Sequence, residues 1–275
     1  MNKKCCKNVV AVVSSLCVCN ILLTSAFALL DSYNSENVIK LRNGDVAQVG
    51  MLHQQKGIDN IENSPYYPRI DFYNSSPTST LIKLDKFKTY QQTTGYSCGA
   101  TCCLMALNYF GIDKLSDGND LTEAYLIKAL DSRSSYNKNE DGSYGTSTKS
   151  IVSFFETNGY KVESSLGKEK TFSKIIDFAN YVKDNLSKGN VILCESVEYG
   201  GHWMVIVGYD DMGQPENSNV HTIVFADPCD VNSHWQDGYL IRSAVRFFSQ
   251  WYDKDYLSAD QKNQQYVMIV NPKNK

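Results

Sequence analysis

Helical segments come first along this chain and strand segments later, which predicts an α+β fold with a buried helix packed on an antiparallel sheet. Three observations carry that expectation. Residues 98–110 form a helical run that is apolar on most sides. Three further helical segments follow before residue 188. From residue 191 the period changes to short runs rich in β-branched and aromatic residues, joined by short links.

Ser97 suits the N-cap of the first helix, and Gly111 suits the position just past its end. DLTEAYLIKAL, 120–130, is amphipathic and predicts a second helix. Residues 148–158, stopped by Gly159, give a third, and 173–187, with Gly189 beyond, a fourth. VILCESV (191–197), WMVIVGY (203–209) and HTIVFAD (221–227) predict strands, with GYLI (238–241) and YVMIV (266–270) as two more. These elements place one domain over 86–275. Residues 29–85 lack strong periodicity and hold polar clusters such as Asn74-Ser75-Ser76-Pro77. They are expected to form an N-terminal extension of propeptide type; the alternative is a few edge strands packed on the domain.

The chain starts with Lys3, Lys4 and Lys7, continues with an apolar stretch over 9–28, and presents Ala26-Phe27-Ala28. This pattern predicts a secretory signal peptide over 1–28, cut after Ala28, against the alternative of an uncleaved anchor. A lipoprotein signal fits less well, because Leu16 precedes Cys17 where a small residue belongs. The expected location is extracellular, at the cell surface if the signal stays. The remaining chain has 24 basic and 30 acidic residues, a net charge of −6 with no basic stripe, which excludes nucleic acid as an expected partner. No later apolar run is long enough to cross a membrane, so no membrane association is expected after cleavage.

No Gly-rich phosphate loop, HExxH or paired CxxC is present, so neither cofactor nor metal is expected. NKNEDGSYGTST, 137–148, resembles the start of a calcium loop, but its twelfth position is Thr148 rather than a bidentate Glu.

Past residue 28 the chain keeps Cys98, Cys102, Cys103, Cys194 and Cys229, an odd number that leaves at least one thiol unpaired within the chain. Cys98 falls in the first turn of the central helix, where unpaired N–H groups and the helix dipole favour a thiolate. Cys102 and Cys103 lie a turn deeper among apolar neighbours, and Cys194 lies inside an apolar strand; all three fit packing better than chemistry. Cys229 has no assignment. Of the four histidines, His202 follows Gly200-Gly201 and opens a strand, while His53, His221 and His234 have weaker contexts. A hairpin turning at Gln214-Pro215 would set Asp227 directly opposite His202, a base facing its orienting carboxylate. Gln92, six residues before Cys98, could add a side-chain amide to the Cys98 backbone N–H as a two-donor oxyanion hole.

Gln92-x5-Cys98-Gly99, the aliphatic helix, Gly201-His202-Trp203 opening a strand and Ala226-Asp227-Pro228 together resemble the papain-like cysteine peptidases of the bacteriocin-processing, double-glycine type, in particular their free-standing secreted relatives. The resemblance spans roughly residues 85 to 271. It implies a papain-like fold whose nucleophile helix packs on the sheet. It also implies Cys98 as nucleophile, His202 as general base and acid, Asp227 as histidine orienter and Gln92 as oxyanion residue. The expected activity is hydrolysis of peptide bonds in a peptide or protein substrate. An acyltransferase or transglutaminase-like enzyme using the same thioester, or a non-catalytic peptide-binding module, are the alternatives.

Overall fold

The computed structural model describes residues 71–115, 118–138, 144–168, 171–196, 201–230, 237–251 and 264–274. The signal segment, His53, His234 and the centre of the calcium-like stretch lie outside these residues.

In chain order the elements are β1 (Leu81–Lys83), α1 (Cys98–Tyr109), α2 (Glu123–Ala129), α3 (Thr148–Thr157), β2 (Val162–Ser164), α4 (Ile175–Ser187), β3 (Val191–Ser196), β4 (His202–Asp210), β5 (Thr222–Ala226), β6 (Tyr239–Ser243), α5 (Ala244–Gln250) and β7 (Tyr266–Ile269). The strands form one antiparallel sheet in the order β2-β7-β3-β4-β5-β6, with β1 paired to the far half of β4. This is the α+β arrangement expected, with α1 lying on β4.

Every residue of α1 from Cys98 to Leu107 is buried, which explains its lack of a polar stripe: it has no solvent face. Gly99 is one of two glycines where the chain crowds most closely, with Gly238 the other. A Cβ on Gly99 would come within 2.5 Å of the Thr146 Cβ, so only glycine lets the loop before α3 lie across the first turn. α4 and α5 build an aromatic cluster in which Phe178, Phe247 and Trp251 pack on one another with tilted rings and Phe225 packs on Phe247.

Residues 71–85 are stitched into the domain. Phe72 and Leu84 join the core, and β1 extends the sheet. The ammonium of Lys83 donates to the carbonyls of Phe72 and Ser75. Gly208 leaves the space that the Phe72 ring occupies, since a Cβ there would sit 2.8 Å from the ring. The sheet therefore includes residues 81–83.

Candidate active site

The loop entering α1 is held by buried polar contacts. Glu123, fully buried at the start of α2, accepts from the Thr93 backbone N–H at 3.0 Å and from the Thr101 hydroxyl at 3.1 Å. Burial raises the pKa of this carboxyl against the pull of those donors. Ser97 occupies the N-cap, yet its hydroxyl makes no capping bond. It pairs instead with Thr94, whose hydroxyl donates to it at 2.8 Å. The first turn of α1 has no side-chain cap and no acidic residue of its own, and the carboxyl of Glu123 reaches Thr101 from α2.

Gln92 is buried in the same loop. Its backbone N–H donates to the Pro228 carbonyl at 2.9 Å, which ties this loop to the one after β5. Its side-chain Nε2 donates one hydrogen to the Thr94 carbonyl at 2.6 Å and retains a second. The Oε1 atom is buried with no partner among the described residues.

β4 begins at His202. Gly201 adopts φ 114°, a backbone region that side-chain-bearing residues rarely enter, and turns the chain into the strand. His202 and Asp227 are 4% and 3% exposed. The imidazole Nε2 lies 2.6 Å from Asp227 Oδ1, which also accepts the Cys229 backbone N–H at 2.8 Å. Cys98 lies close enough to the imidazole to raise its pKa, and Nδ1 is the ring nitrogen that Asp227 does not occupy. Cys98 is itself only 7% exposed.

The two residues meet diagonally rather than directly opposed. The pairing of Val205 with Ala226 puts Asp227 two positions away from the point across from His202. The register irregularity between Ile206 and Gly208 shifts the pairing by one residue, so the offset is two rather than the three that the far half of the hairpin would give. The shared sheet face survives because an offset of two conserves side-chain direction.

Burial by itself would lower the imidazole pKa, but the charge and hydrogen bond of Asp227, with a further contribution from Cys98, raise it to about 10. Burial likewise opposes ionisation of Asp227, and the His202 charge outweighs this and lowers its pKa. A histidine whose folded pKa lies above its unfolded value stabilises the fold fully below about pH 6.5, and that contribution disappears as pH rises through 10. The melting temperature is therefore expected to decline from pH 7 to pH 10. In Asp227→Asn the same scan should be flatter, which calorimetry across that range would check.

The other candidate groups fall elsewhere. Cys102, Cys103 and Cys194 are fully buried, and burial drives all three thiol pKa values far upward. Cys229 is half-buried, with its pKa pushed up to about 12, first by burial and then by Asp227 and Cys98. His221 is spoken for: Nε2 donates to the Gln214 carbonyl at 2.9 Å and Nδ1 accepts from the Tyr209 hydroxyl at 2.9 Å. Sequence reasoning overlooked Glu123, which directly follows Thr122, the N-cap of a helix that looks solvent-facing.

Compared with known proteins, residues 84–258 match the model of the Peptidase_C39 like family. Among solved structures, the chain is similar to the peptidase domain of Streptococcus ComA, a bi-functional ABC transporter involved in a quorum sensing pathway. That match has 16% identity, covers 67% of this chain and 98% of that one, and has a TM-score of 0.40. No curated protein matches.

Proposed function

The chain belongs to the Peptidase_C39 like family, and from that premise we propose that it is a secreted cysteine peptidase acting through Cys98, His202, Asp227 and Gln92. The observation that carries this reading is the buried His202–Asp227 pair, Nε2 2.6 Å from Oδ1, whose imidazole also responds to Cys98.

Cys98 lies at the uncapped start of α1, and His202 takes its thiol proton as general base. The sulfur attacks the carbonyl carbon of the scissile bond. The second hydrogen of Gln92 Nε2 and the Cys98 backbone N–H receive the developing oxyanion. His202 gives its proton to the leaving amine as the C–N bond breaks, leaving a thioester on Cys98. It then takes a proton from water, whose oxygen attacks the thioester and releases the carboxylic acid and the sulfur. Asp227 keeps the ring in the tautomer and orientation that both transfers require.

Iodoacetamide labelling against pH, with mass spectrometry locating the modified cysteine, tests the core of this reading. Cys98 is expected to label fastest, well below pH 7, and to lose that low-pH reactivity in His202→Ala. Labelling that rises only near the ordinary thiol value of about 8.5, or a faster reaction at Cys229, would sink it. The secretory part is tested by sequencing the protein's N-terminus from culture medium, with Leu29 expected first.

A further inference from the structure

Glu123, at the start of α2, is completely buried and has no part in the steps above. Among the described residues no lysine, arginine or histidine forms an ion pair with it. A buried acid without a counterion weakens a fold. Its use here has to be sought in the groups that it holds.

Those groups lie on two segments. Both carboxyl oxygens face the Thr93 backbone N–H, Oε1 at 3.0 Å and Oε2 at 3.2 Å. Oε1 also accepts the Thr101 hydroxyl at 3.1 Å. Thr93 directly follows Gln92, and Thr101 stands on α1 one turn beyond Cys98. One carboxyl therefore bridges the two segments that carry the candidate oxyanion donors, the Gln92 amide and the Cys98 backbone N–H.

The bridge completes a set of fixings around Gln92. The N–H of Gln92 is held by the Pro228 carbonyl, and the next N–H, that of Thr93, is held by Glu123. The Gln92 side chain is anchored on the Thr94 carbonyl, which also accepts the Ser97 hydroxyl at 3.2 Å. Stabilisation of an oxyanion depends on donors that are in place before charge develops, and a displacement of about 1 Å costs on the order of a hundredfold in rate.

Resting on the peptidase reading above, we propose that Glu123 is a positioning residue that locks the Gln92–Thr93 peptide to α1 and so sets the spacing of the two oxyanion donors. It touches no substrate and acts through Gln92. A carboxyl is needed because Thr93 presents a donor to both of its oxygens. A glutamine would set its own N–H2 against that N–H.

The test is a double-substitution cycle on the full chain, read with a quenched peptide first selected from a random library by the unaltered protein. Glu123→Gln should lower kcat by roughly tenfold to a hundredfold and leave KM within about twofold. Gln92→Ala should lower kcat by about a hundredfold, and adding Glu123→Gln to it should cost less than about twofold more. No loss in Glu123→Gln, or the same loss in both backgrounds, as a merely structural role would give, would overturn the proposal. Thr101→Val keeps the shape of the side chain and removes only the α1 end of the bridge, so it covers the case in which Glu123→Gln does not fold. It should show a smaller loss of kcat that again disappears in Gln92→Ala, and an equal loss in both backgrounds would overturn the proposal.

If the unaltered protein cleaves no library peptide, the peptidase reading fails, and hydrogen exchange decides the bridge separately. The Thr93 amide should exchange about tenfold faster in Glu123→Gln while the amides of α1 keep their rates. Unchanged exchange at Thr93, or an equal acceleration throughout α1, would overturn the bridge.

Discussion

Cys98→Ala is expected to lower peptide cleavage by about ten-thousand-fold or more, because no other group can form the thioester and what remains is only binding and the oxyanion donors. Its effect on stability should be small, about 1 kcal/mol, since a single sulfur leaves a tight first turn whose backbone is fixed by other residues. The matching control lies one turn away. Cys102 is completely buried between helix and sheet, so Cys102→Ser places a hydroxyl in apolar surroundings and should cost roughly 1–3 kcal/mol while cleavage continues. Kinetics and thermal melts of the two variants would separate the roles. Comparable cleavage by Cys98→Ala and the unaltered protein would remove the nucleophile assignment.

His202→Ala should be nearly as damaging to catalysis, again about ten-thousand-fold, because both proton transfers pass through the imidazole. Unlike the cysteine change it should also destabilise the fold, by about 3 kcal/mol or more, as Asp227 becomes a buried carboxylate that retains the Cys229 N–H but loses its cation. Lowering the pH should restore part of that stability as Asp227 takes up a proton. Urea titrations at pH 5 and pH 8 would read this: the deficit relative to the unaltered protein should be larger at pH 8. A deficit that does not change with pH would mean that the Asp227 charge is not what His202 neutralises.

Much of this architecture is legible in the chain itself. An all-apolar helical run such as 98–110 belongs in a core, and β3, β4 and β5 announce themselves by branched and aromatic runs. β1 and β2, of three residues each, are too short to show a period, and α5 follows β6 without a break. The diagonal meeting of His202 and Asp227 depends on a strand irregularity that leaves no mark in residue type. Cys98 could be singled out from its two neighbours because a helix N-terminus and an apolar interior do opposite things to a thiol. Glu123 could not, because an acid at a helix start looks the same in sequence whether it faces water or a buried amide and hydroxyl.

The single backbone bond from Gln92 to Pro228 has a bearing on how the molecule assembles. It joins the chain just before α1 to the chain just after β5, so the clasp that flanks the nucleophile links residues 136 positions apart (228 − 92), and closing so long a loop is an entropic cost met late in folding. Helix and sheet hairpins can form before that clasp closes, but the cleft cannot. Activity should therefore be the last property regained on refolding, appearing after the far-ultraviolet dichroism has recovered.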